Sequence, residues 1–120
     1  ELFVLTARRL NLEPVICTVA MSHNEKNFSK IPDDYLLGML RQNPDIAAIG
    51  WANAVQRWNA RIRTYCYENQ VRLADIALIL DGHPEFFRDA VHFNEAGHAR
   101  IAEYISDRLQ SWGDADGGDQ

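Results

Sequence analysis

The chain has 120 residues, 47% apolar and 24% charged, the balance of one folded domain rather than of two domains or a disordered segment. Seventeen acidic residues against twelve basic ones leave a net charge of -5, which repels phosphate backbones and disfavours general nucleic-acid binding. Every apolar run is far shorter than the roughly 20 residues a membrane-spanning helix needs, so no membrane span is expected.

Leu2, Leu5, Arg9 and Leu10 or Leu12 recur at helical spacing, so residues 1–12 read as the end of an amphipathic helix stopped by Glu13-Pro14. The apolar pattern is already running at Glu1, which predicts further polypeptide upstream. Val15 to Ala20, rich in β-branched residues, reads as a strand buried on both faces, as in parallel sheets. Residues 21–50 form a long polar connection punctuated by Pro32, Gly38, Pro44 and Gly50, with one short helix from Tyr35 to Arg41.

Trp51 to Asn69 predicts a helix of about five turns, with Trp51, Ala54, Val55, Trp58, Ile62, Tyr65 and Cys66 on its buried stripe. Val71 to Asp75 reads as a second strand, and Ile76 to Leu80 fits either its continuation or a short helix. Asp81-Gly82-His83-Pro84 is a turn with Pro84 suited to a first helical position, followed by inward-packing Phe86 and Phe87. Asn94 is a good N-cap for a last helix from Glu95 to Trp112, with Ile101, Ala102, Ile105 and Leu109 buried. Gly113 to Gln120 is an acidic, Gly-rich tail expected to be disordered.

This order predicts an α/β fold with right-handed crossovers, about two strands and three to four helices. At roughly 30 residues per βα unit, that is too little chain for a complete doubly wound sheet. Cys17 and Cys66 do not make a disulfide framework and read as small core residues.

The sharpest chemical signal is Asp89-Ala90-Val91-His92-Phe93-Asn94-Glu95-Ala96-Gly97-His98. An acid three residues before a histidine, on a loop entering a helix, can hold one ring nitrogen and leave the other free as a general base. The same spacing also suits a plain surface turn ahead of a helix N-terminus.

The longer string, Asp-x-x-His-x-Asn-x-x-Gly-His followed by Ile101-Ala102 and Ile105, resembles the C-terminal block of the SGNH hydrolases, also called GDSL lipases and esterases. Upstream, Trp58-Asn59, Arg61-Ile62 and Val71 to Asp75 look like that family's Asn-bearing helix and the strand ending in Asp, and Val15 to Ala20 looks like its penultimate core strand. The resemblance covers roughly residues 1–112, the family's C-terminal half, and is weakest in the 21–50 loop.

The resemblance implies a flavodoxin-like three-layer α/β/α fold with a parallel sheet, of which this is an incomplete C-terminal portion. It implies ester hydrolysis through an acyl-serine, with His92 as the base and Asp89 as its orienting partner. Gly97 would permit close helix packing and His98 would be a supporting or helix-surface residue. The substrate would be a small-molecule or carbohydrate ester, and no cofactor or metal is implied. No Gly-Asp-Ser and no Gly-x-Asn-Asp block occurs here, so the nucleophile and oxyanion donors are expected upstream and this chain alone is expected to be inactive.

Ser22 follows a strand, but in that family this strand leads into substrate-lining loop; Ser29 and Ser106 are weaker candidates. His83, His92 and His98 lack zinc-site spacing, and His23 reads as a solvated loop residue. Trp51, Trp58 and Tyr65 read as core. Met21, Phe28 and Tyr35 are candidates for an acyl or sugar contact or for packing under the loop, and Arg61, Arg63 and Arg72 read as solvated surface. The reading from a different class is a non-catalytic α/β interaction module whose exposed sheet edge drives homodimerisation or strand exchange.

Overall fold

The structure, a computed structural model, describes residues 1–116, with side chains to residue 114. It is mixed α/β. Helices α1 (Leu2–Arg9), α2 (Asp33–Gln42), α3 (Ala48–Glu68), α4 (Ile76–Leu80) and α5 (Glu95–Asp116) accompany strands β1 (Val15–Cys17) and β2 (Arg72–Ala74). The strands pair in parallel, Val15 opposite Arg72 and Cys17 opposite Ala74. Residues 117–120, the last part of the expected tail, lie outside the described residues, whereas Gly113 to Asp116 continue α5 beyond Trp112.

Helix ends are set by local chemistry. In α1, Leu12 N–H donates to Ala7 O and Asn11 N–H to Arg8 O, with Asn11 left-handed at φ 55°. The same pair of bonds closes α3, from Val71 to Cys66 O and from Gln70 to Tyr67 O, with Gln70 at φ 51°. Both are Schellman closures made without glycine. The first helix therefore stops at Arg9, ahead of the expected break at Pro14. The Arg8 guanidinium ties the two closures together by donating to the carbonyls of Asn69 and Gln70.

Alternate strand residues feed two apolar clusters. Val15 and Ala74 pack with Ala20, Ile76, Leu80 and Phe87 beneath Ile101, Tyr104 and Ile105 of α5. Ile16 and Leu73 pack with Val4, Ile62, Tyr65, Cys66 and Val71. Helices thus cover both sides of the short sheet. Leu80 is completely buried, and exposing such a side chain would cost about 2 kcal/mol.

Several expected positions differ. β1 is three residues long, with Val15 and Ile16 half-buried and Cys17 exposed, because β2 is its only strand neighbour among the described residues. In α3 the buried residues are Ala48, Ala52, Asn59 and Cys66, while Ala54 and Trp58 face solvent, Trp58 at 63% exposure. A hydrogen-bond requirement overrides apolarity there. Asn59 Oδ1 accepts the Val19 N–H at 2.9 Å and its Nδ2 donates to the Val19 carbonyl at 2.7 Å. In α5, Ala102 and Leu109 are exposed and Tyr104 takes their place, its hydroxyl accepting the Asp75 N–H.

Ile76 to Leu80 is helical rather than extended. Thr18 Oγ1 accepts the Ala77 N–H and donates to Asp75 Oδ1, which turns the chain out of β2. Arg63, expected in solvent, grips Asp75 with two bonds of 2.7 and 2.9 Å. Burial opposes ionisation of Asp75, but these partners outweigh it and hold the carboxyl below its ordinary value. No helix among the described residues is long and apolar enough to cross a membrane.

Large apolar side chains remain exposed on and after α1, among them Leu2, Phe3 and Leu12. The Cα radius of gyration is 16.7 Å. A compact chain of this length gives about 13.6 Å.

Candidate active site

The segment from Phe86 to Asn94 folds back on itself. Phe87 and Phe93 form an antiparallel bridge, Arg88 N–H donates to His92 O, and Asn94 N–H donates to Phe86 O. The Phe87 and Phe93 rings meet at 4.9 Å between centroids, anchoring this small hairpin on the core. Asn94 closes its base. The side-chain Nδ2 donates to Glu85 O, and Oδ1 accepts the Gly97 N–H at 2.9 Å, the expected N-cap of α5. Gly97 is required for this approach, since a Cβ there would lie 2.3 Å from the Phe86 carbonyl oxygen. His98 is an exposed helix residue whose ring meets the edge of Phe93 at 5.9 Å.

The hairpin tip carries Asp89 and His92. Asp89 Oδ1 accepts two backbone N–H bonds, from Val91 at 2.9 Å and His92 at 2.8 Å. Its other oxygen, Oδ2, lies 2.8 Å from His92 Nδ1. One carboxylate thus shapes the turn and orients the ring. With Asp89 ionised, Nδ1 carries the proton and Nε2 is left with a free lone pair. Among the described residues Nε2 has no hydrogen-bond partner. Partial burial raises the Asp89 pKa, but the two backbone donors and the imidazole more than reverse it, so the carboxyl sits below its ordinary value.

Beside the pair lies a cleft of about 140 Å³. One wall is the face of α2 that carries Tyr35, Gly38, Met39 and Gln42, residues spaced at i, i+3, i+4 and i+7. Trp51 of α3 forms another wall, and the hairpin tip, from Asp89 to His92, forms the third. Among the described residues neither serine, threonine nor cysteine lines the cleft.

Ser22 and His23 sit elsewhere in the bonding scheme. Both are buried, Ser22 completely, and Ser22 Oγ bonds His23 Nδ1 at 3.0 Å. His23 is therefore a core residue and not a solvated one, and burial holds its pKa below the ordinary value. The Ser22 backbone N–H donates to Ala90 O, so this segment buttresses the hairpin tip. Met21 N–H donates to Asp81 Oδ1, and Asn24 Nδ2 donates to Asp81 Oδ2. Gly82, at φ 81°, packs against the Asn24 amide, where a Cβ would lie 2.4 Å away.

Of the three loop residues considered for substrate contact, Tyr35 lines the cleft, Met21 is core and Phe28 lies in a 3₁₀ turn at Phe28–Lys30. Sequence reasoning missed Met39 and favoured the core over a ligand platform for Trp51. The signal available was the apolar spacing of Tyr35 and Met39 in a helix framed by prolines. The tip residues His92 and Asp89 are brought together as the motif required. Among the described residues no cluster of three or more His, Cys, Asp or Glu side chains could hold a metal ion. Comparisons with family models, curated proteins and solved structures found no match.

Proposed function

We propose that this chain carries the general-base half of a serine ester hydrolase of the SGNH type, folded as the C-terminal portion of a flavodoxin-like three-layer α/β/α domain. The substrate class is an acyl or acetyl ester of a small molecule or carbohydrate. The observation that carries the reading is the doubly anchored Asp89, which presents one oxygen to His92 Nδ1 at 2.8 Å while the opposite ring nitrogen stays unpartnered beside a cleft. Apolar clusters on both sides of the parallel sheet agree with a three-layer arrangement.

In this reading His92 Nε2 takes the proton from a serine hydroxyl as its oxygen bonds to the ester carbonyl carbon. Asp89 stabilises the imidazolium that forms. The imidazolium then gives its proton to the departing alcohol oxygen as the carbon–oxygen bond breaks, leaving an acyl-serine. Water, deprotonated by the same Nε2, releases the acid and restores the serine. The serine and the oxyanion donors come from polypeptide outside this sequence, and the 120-residue chain alone turns over no ester. In the protein that carries both parts, His92→Ala should lower ester turnover by about a hundred- to ten-thousand-fold. Unchanged turnover would remove His92 from the role of base.

The exposed apolar residues of α1 and Trp58 favour a second reading, a non-catalytic module that pairs with a second copy through the open edge of β1. Encoded sequence upstream of Glu1 separates the two. A Gly-Asp-Ser block there supports the hydrolase, and an initiator methionine just before Glu1 supports the module.

A further inference from the structure

The cleft beside His92 has a size, a charge and an opening that together specify a ligand class. An enclosed apolar cavity of about 150 Å³ takes a benzene-sized guest, so the cleft's 140 Å³ suits a group of about six non-hydrogen atoms at most. Its inner wall is Tyr35, Met39, Trp51 and Ala90, which are half-buried or buried and mainly apolar. Asp34 stands at the exposed rim and Asp89 at the tip, and among the described residues neither lysine nor arginine lines the space. A carboxylate or phosphate entering would meet two acidic side chains and, among the described residues, neither lysine nor arginine to offset them.

Gly38 is the notable position on the α2 face. A Cβ added there meets nothing within 4 Å, and the backbone is ordinary helix without positive φ. Gly38 lines the cleft, so an unbranched side chain at this position would stand beside that space without straining the helix. Glycine inside a helix costs about 1 kcal/mol relative to alanine, so the open space is kept at a cost in helix stability.

We propose that this cleft receives the short apolar arm of a small uncharged ester, and that Gly38 sets the size limit of that arm. The assignment of an ester rests on the reading of His92 as the base. The size and charge selection rest on the cleft itself.

The test uses the 120-residue chain with ethyl butyrate and sodium butyrate as probes, followed by amide NMR. Ethyl butyrate should move the signals of Gly38, Met39, Val91 and the Trp51 indole. Butyrate should bind at least about tenfold more weakly, the scale on which a pocket discriminates small groups. Gly38→Leu should weaken ethyl butyrate binding at least about tenfold and Gly38→Ala by less, each with the rest of the spectrum unchanged. Equal binding of ester and acid, signals moving elsewhere, or indifference to Gly38→Leu would overturn the proposal.

Two variants separate this inference from the functional reading: His92→Ala should collapse ester turnover in the serine-bearing protein, whereas Gly38→Leu is read by ethyl butyrate binding with His92 in place. Turnover unaffected by His92→Ala, together with the expected loss of ethyl butyrate binding in Gly38→Leu, overturns the base and leaves the cleft assignment standing. In that protein, Gly38→Leu should shift preference toward shorter acyl chains if the acyl arm occupies the cleft, and toward shorter alcohols if the alcohol arm does. A Gly38→Leu enzyme with an unaltered length preference on both sides would overturn the size limit.

Discussion

Two histidine–carboxylate pairs of similar contact length lie within ten positions of the sequence, and they differ in what restrains the acid and in what borders the ring. His92 Nδ1 lies 2.8 Å from Asp89, and His83 Nδ1 lies 3.1 Å from Glu85. Asp89 has a short side chain whose second oxygen is fixed by two backbone N–H groups, and its histidine borders a cleft. Glu85 has a longer chain, is 60% exposed, and besides His83 is held by its own backbone N–H rather than by a turn built around it. Contact length alone therefore says little about whether an acid–imidazole pair can act as a base. The restraint on the acid and the space in front of the far nitrogen decide it.

The largest expected effect tests that contrast directly. If the proposed serine is supplied from upstream polypeptide, Asp89→Asn should lower turnover by up to about ten-thousand-fold, because the amide favours the wrong tautomer of His92. Glu85→Gln should leave turnover within about twofold, as befits an exposed pair worth little. Equal losses in the two variants, measured as kcat on one ester, would break the comparison. A smaller effect concerns the footing of the hairpin. Gly97→Ala should cost about 1–3 kcal/mol in chemical denaturation, since the new methyl group drives against the Phe86 carbonyl, which is backbone and cannot rotate aside.

The smallest effect is electrostatic. The Asp89 carboxyl sits below its ordinary value of 3.8, so the unfolded chain takes up the proton first as pH falls. The contribution of Asp89 is present above that ordinary value and is lost as pH drops through the lower folded one. With 46% of the side chain exposed, solvent screens the interaction and the stability change is slight. Carbon NMR of the carboxyl group should show it directly, with the Asp89 titration midpoint below that of a free aspartate. A midpoint at or above the free value would mean that the backbone donors do not hold the carboxylate.

The site was legible because its determinants are local. Asp89, His92, Asn94 and Gly97 lie within nine consecutive positions; the bonds that hold the acid, the ring and the cap span two or three residues, and Asn94 and Gly97 reach back no further than Glu85 and Phe86. The α/β order and four of the five helices were legible for the same reason, through periodicity and caps, whereas Ile76 to Leu80 suited strand and helix alike and is turned into a helix by Thr18. What was not legible depends on partners far away in sequence. Asn59 is buried for the sake of Val19, forty residues earlier, and displaces Trp58 from the core face of α3. His23 is buried with Ser22 in a segment whose composition looks like solvated loop. Arg63 leaves solvent for Asp75, and the cleft forms only when α2 and α3 meet the hairpin tip.

The carboxamide of Asn59 has one more effect. Thr18 N–H still donates to Ala74 O, so the backbone groups of Val19 turn to the side away from β2, and Asn59 occupies both of them. It behaves as a one-residue surrogate strand. Any segment that adds to the outer margin of β1 must halt at Cys17, which leaves it three residues to grip. A ledge that short fixes the alignment of an incoming strand and is a poor template for runaway fibrillar growth.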